Sequence, residues 1–144
     1  MTQPHSFSFD ASAAAQTSAG AQPPSPDPHA DASAQAVRDI AEVPAVEVIS
    51  TAAVHLMSAS AVKLGLSEDT DAERAADLVD LDEARKLITA LAGLVTAGAT
   101  EIGDHHARPL RDGLRSLQLA FREASSIQDD PGKGPGERYT GPVR

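Results

Sequence analysis

Four arginines recur in the stretch RPLRDGLRSLQLAFR, at Arg108, Arg111, Arg115 and Arg122. On a helix turning by about 100° per residue they fall within an arc of about 60°. Guanidinium forks grip carboxylates and phosphates through paired hydrogen bonds, so such a ridge suits an acidic protein or a nucleic-acid backbone. The plainer alternative is a solvated face whose arginines pair with local acids such as Asp112 and Glu123. Leu119 projects beside the same arc, an apolar side chain where a free surface favours a polar one. Arg138 and Tyr139, near the end of the sequence, add another guanidinium and the chain's one tyrosine. These seven residues, Arg108, Arg111, Arg115, Leu119, Arg122, Arg138 and Tyr139, are the candidate partner-binding set.

Metal chemistry is the rival reading. Its residues are His55, Asp104, His105 and His106. Adjacent histidines on a helix point about 100° apart, so they do not grip one metal as a pair four residues apart would. The sequence has no HExxH motif, no Ser-His-Asp order and no nucleophile elbow. The GKGPGER segment lacks the order of a phosphate-cradling loop, and the acids from Glu68 to Asp80 lack the spacing of a calcium loop. The residues therefore assign no catalytic group, cofactor or metal, and a metal-dependent enzyme built on the histidines is kept as the alternative.

The elements that must position these side chains are helices. Pro44 to Leu64 predicts a first helix, opened by Pro44 and stopped by Gly65, with Val46, Ile49, Ala53, Leu56, Ser60 and Leu64 along one face. Asp80 and Glu83 resemble a capping box for a second, whose stripe of Leu81, Ala84, Leu87, Ile88, Leu91, Leu94 and Val95 runs to a predicted end at Gly98. A third starts between Asp104 and Arg108 and carries Leu110, Leu114, Leu117, Phe121 and Ala124 opposite the arginines. The acidic stretch from Leu66 to Val79 reads as a solvated connection with at most one helical turn. The fold class is all-α, a small three-helix antiparallel bundle.

Composition limits this bundle. Of 144 residues 27 are Ala, whereas Leu, Val, Ile and Phe number 12, 9, 5 and 3. With no Trp, a large core or an aromatic platform for bases is excluded, and with no Cys, so are disulfides and thiolate metal sites. Residues 1–42 read as a disordered Ala/Ser/Pro-rich tail, because such a stretch buries too little to offset backbone ordering. Phe7 and Phe9 are its only features, and MTQPHSFSFD lacks the basic and apolar parts of a secretory signal. Residues 43–127 form the helical domain, and 128–144 a Gly/Pro-rich tail expected to be extended. Glu47, His55 and Lys63, with four Ser and Thr residues, argue against the first helix crossing a membrane.

The runs VPAVEVISTAAVHLMSASAVKLGL, DLDEARKLITALAGLV and PLRDGLRSLQLAFREAS, followed by GPGERYTGPV, resemble the bacterial family known as domain of unknown function 1844, in its actinobacterial form. The resemblance covers Val43 to Arg144; the Ala/Pro-rich start and the acidic insert from Glu68 to Asp77 fall outside it. It implies a small all-α protein with no active site to transfer. It also implies, from the translation-initiation and large-subunit ribosomal genes beside actinobacterial members, at most a translation-related role.

The functional expectation is thus a non-enzymatic, cytoplasmic adaptor without cofactor. A formal charge of −9 favours a protein partner over ribosomal RNA or the ribosome. The first helix, apolar on more than one side, is the expected homodimer surface.

Overall fold

The computed structural model describes residues 28–144. The expected disorder over residues 1–27, with Phe7 and Phe9, lies outside them. The chain divides into two units at the Ala41 to Glu42 boundary. The described residues form six helices and no strand: α1 (Pro28–Glu42), α2 (Ala45–Lys63), α3 (Ala72–Asp77), α4 (Leu81–Ile102), α5 (Asp104–Ala124) and α6 (Glu137–Thr140). The all-α class is therefore correct, while three helices was too few.

Over residues 28–42, part of the stretch read as a disordered tail, the structure has helix α1. Pro28 opens it with a preset φ, Asp31 lies in its first turn, and five alanines supply intrinsic helix preference. Its apolar side chains stay in solvent, with Val37 and Ile40 exposed.

In the second unit each helix has a local reason to stop and start. Pro44, expected as the first helical residue, stands instead at the N-cap of α2, which begins one residue later. Gly65, at φ 76°, ends α2: Leu66 N–H donates to the Ala61 carbonyl at 2.9 Å and Gly65 N–H to Val62 at 3.0 Å. This is the paired-bond stop that a left-handed glycine permits. Asp71 caps α3 by accepting from Arg74 N–H at 2.9 Å. Asp80 caps α4 by accepting from Glu83 N–H at 3.1 Å, but the Glu83 carboxylate turns to Lys86, so the capping box is half made.

Helix α4 does not end at Gly98. That glycine is buried within the helix, where a Cβ would come within 3.2 Å of the Ile49 side chain, so it serves close approach of α2. The stop falls at Gly103, whose φ of 84° is open to glycine alone without strain. This single residue joins α4 to α5.

Helices α2, α4 and α5 pack pairwise, and α6 packs on α4. The core they enclose is fine-grained: Ala53, Ala84, Ala92, Ala99 and Ala107 interleave with Ile88, Leu91, Val95, Leu110, Leu114, Leu117 and Phe121. Small residues let the helix axes approach, which offsets the scarcity of large side chains through close packing. Ser60 is fully buried on α2 and returns its hydroxyl to the Leu56 carbonyl at 2.7 Å.

The outer side of α2 is left open, with Val48 45% and Val54 51% exposed. By length and composition α2 is long and apolar enough to cross a membrane.

Candidate partner-binding site

The site is built on α5, whose leucine stripe faces the core and so turns its arginines outward. Arg108, Arg111, Arg115 and Arg122 are all exposed, and Leu119 beside them is half-buried. The ridge then divides in two. At its N-terminal end Asp104 takes both neighbours, Arg108 at 3.2 Å and Arg111 at 3.0 Å. The hydrogen bond from Arg111 and the charge of Arg108 hold the Asp104 carboxyl below the usual range. No side-chain carboxylate reaches Arg115 or Arg122 among the described residues. Arg115 donates to the Arg144 main-chain oxygen at 2.9 Å; Arg122 donates to the Val143 carbonyl at 3.1 Å and the Gln128 side-chain oxygen at 3.2 Å.

Those oxygens belong to the segment that was expected to be extended. Instead, residues 128–144 fold back over α4 and α5 as a strap, which includes α6. Its middle is anchored. Pro135 and Gly136 are buried, and the Gln118 side-chain amide donates to the Pro135 carbonyl at 3.0 Å and the Thr140 hydroxyl at 3.1 Å. Gly136 N–H donates to the Thr89 hydroxyl on α4 at 3.2 Å. With φ 73°, and with Ala92 Cβ lying 2.5 Å from where its own Cβ would be, Gly136 admits a close approach of the strap to α4. Glu137 closes the turn, its carboxylate accepting from Gly132 N–H at 2.7 Å. At the near end Arg85 grips both Asp129 carboxylate oxygens, at 2.9 and 2.8 Å, while lying 4.9 Å above the Phe121 ring.

Arg138 and Tyr139 are on the strap as well. The Arg138 guanidinium lies 4.7 Å over the Tyr139 ring and donates to its hydroxyl at 2.6 Å. The ring itself sits over Gly93 of α4, within 3.4 Å of the place a Cβ would occupy. Tyr139 is thus partly a docking residue of the strap.

Two clefts flank the strap's last residues. One, of about 400 Å³, has an apolar floor of Val95, Ala99 and Leu114 with Arg111 and Arg115 at its rim. The other, of about 480 Å³, has Phe121 at its base and Arg122 at its rim. Both are lined by Gln118, Pro142 and Val143, so those two strap residues partition what is otherwise one groove.

The structure does not bring the histidines of the metal reading together. His55 is exposed on α2, and His105 and His106 are exposed in the first turn of α5, ring centroids 5.3 Å apart and edge to face. Among the described residues no three His, Asp or Glu side chains are placed to hold a metal ion.

Sequence reasoning found the ridge but not its roof. It missed Gln118, Thr89, Arg85, Asp129 and Gly136. Gln118 carried a signal: on the helix it falls between the leucine stripe and the arginine arc, on the border of the core.

No curated protein and no solved structure matches the chain. Residues 45–123, from the start of α2 almost to the end of α5, match the family model described as domain of unknown function DUF1844. That match spans more than half of the 144 residues and stops just short of the strap, and the chain belongs to that family.

Proposed function

We propose that this chain is a non-enzymatic adaptor in which α2, α4 and α5 act as an antiparallel three-helix bundle that presents the α5 ridge to a protein partner. One observation carries the reading: in a chain of formal charge −9, Arg115 and Arg122 stand exposed on one helix face with no acidic side chain among the described residues to neutralise them. Guanidinium groups in that state favour a carboxylate-bearing surface. The proposed setting is cytoplasmic, in keeping with the translation-related role that the family resemblance implies. Helix α2 is proposed to serve the bundle and not a bilayer, because it packs on both α4 and α5 and carries Glu47, His55 and Lys63.

Copurification from native extract tests this reading, comparing the natural chain with one in which Arg108, Arg111, Arg115 and Arg122 are all changed to Ser. The expected result is a protein partner that resists nuclease and is lost with the four changes. Loss on nuclease treatment makes ribosomal RNA the partner, and retention after the four changes places the interface elsewhere.

A second reading concerns α2. Its exposed Val48 and Val54 favour a homodimer through the outer face of that helix. Sedimentation equilibrium at high micromolar concentration is expected to show a dimer that Val54→Glu dissociates; a monomer removes this reading.

A further inference from the structure

We infer that the groove divided by Pro142 and Val143 is a binding site for an extended acidic peptide, and that residues 142–144 occupy it until such a peptide displaces them. The inference rests on the adaptor reading and specifies its partner.

The strap is held unequally along its length. From Pro135 to Thr140 it is anchored through a buried glycine, the Gln118 amide, the Thr89 hydroxyl and the Tyr139 ring over Gly93. Beyond Thr140 the fastening changes. Gly141 turns the chain at φ 79° with no atom within 4 Å of the place its Cβ would take, an open joint. Past it, the hydrogen bonds to α5 are those of the Val143 and Arg144 main-chain oxygens with Arg122 and Arg115, and both guanidinium groups are exposed. Residues 142–144 can therefore lift at Gly141 while the anchored part stays docked.

What fits in their place follows from what they reveal. A main chain outside any helix already lies there with its oxygens toward the arginines, so the path suits a peptide that binds through its main chain. A carboxylate presents two oxygens and a full negative charge to each guanidinium, a bidentate pair, where Val143 and Arg144 each present one oxygen. Arg115 and Arg122 are two helical turns apart, about 10 Å along the axis. Carboxylates four residues apart on an extended strand share one face about 13 Å apart, which two flexible arginine side chains can span. Between them, once Pro142 and Val143 leave, the merged clefts expose Val95, Ala99, Leu114 and Phe121 to an apolar side chain. That apolar floor favours an acidic peptide over RNA, whose phosphates carry nothing to place there.

The test uses the full chain and a fluorescein-labelled peptide of alternating Glu and Val, followed by anisotropy, with the Gln-for-Glu peptide and an oligouridylate as comparison probes. The acidic peptide is expected to bind and the Gln peptide not. R115Q together with R122Q is expected to weaken binding about a hundredfold, one charged contact at each position being about tenfold. R115K with R122K, which keeps charge but not the fork, falls between and serves if the Gln variant is poorly folded. Ending the chain after Gly141 is expected to tighten binding about threefold or more by removing the competitor. Equal binding of the Glu and Gln peptides, or an affinity indifferent to loss of residues 142–144, overturns the inference. So does an oligouridylate that outcompetes the peptide with a steep salt dependence. If the acidic peptide fails while a protein still copurifies through the ridge, the groove inference alone falls; if both fail, the adaptor reading falls with it.

Discussion

A single carboxylate decides which part of the arginine ridge is available. Asp104 opens α5 and reaches both Arg108, one turn on, and Arg111, two turns on, so these two guanidinium groups are locally satisfied. Its lowered pKa means that the folded state prefers the ionised form. The resulting stabilisation is fully present above the ordinary aspartate range and is lost as pH falls through the lowered folded-state value. Asp104→Asn is accordingly expected to melt below the natural chain at neutral pH, with the gap closing as the solution is acidified through the carboxylate range. Thermal melts of the two proteins from neutral to strongly acidic pH check this, and a gap that stays constant refutes it. The same substitution frees Arg108 and Arg111 and extends the unneutralised part of the ridge along the whole helix.

At the scale of elements, the long helices were legible in the sequence and the strap was not, for a physical reason. Val46, Ile49, Ala53, Leu56 and Leu64 on α2, and Leu110, Leu114, Leu117 and Phe121 on α5, are held by burial, and burial on a helix leaves a period. The strap is held by main-chain groups meeting single side chains, Gln118 and Thr89, and by the absence of side chains at Gly136 and Gly93, none of which is periodic. Its glycines and prolines signalled irregular structure, and irregular is not the same as undocked. Gly98 misled for a related reason, since a glycine that ends a helix and one that admits a neighbouring helix look alike in one sequence. For the candidate site, the arginine positions followed from helical geometry, while their division into a half held by Asp104 and a half held by strap oxygens needed the fold. Gly136→Ala tests the strap directly. A methyl group there meets Ala92 Cβ at 2.5 Å and the Ile88 carbonyl at 3.3 Å on a backbone with φ 73°, so the strap must lift from α4. The expected cost is about 1–3 kcal/mol of stability. The Tyr139 ring resonances should also move toward those of an unpacked tyrosine, and a melt and spectrum like those of the natural chain would contradict the docking.

For the whole molecule, net charge and local charge point in opposite directions, and the spacing of contacts along the chain sets when each matters. Helices α4 and α5 are joined by Gly103 alone, so closing them on each other orders almost no loop. The strap's ties are distant in sequence by comparison: Arg85 to Asp129 spans 44 residues and Thr89 to Gly136 spans 47. Contacts that need a long loop form late and open early, so the strap should behave as a separate cooperative unit of lower stability than the helices beneath it. Native-state hydrogen exchange is expected to release the Gly136 and Thr140 amides through a partial opening, before the amides of Ile88 to Ala99, which should exchange only on global unfolding. A one-residue joint between two helices thus has a temporal consequence: in each folding event the arginine ridge is assembled while still bare, and there is an interval in which a partner can arrive before the strap does.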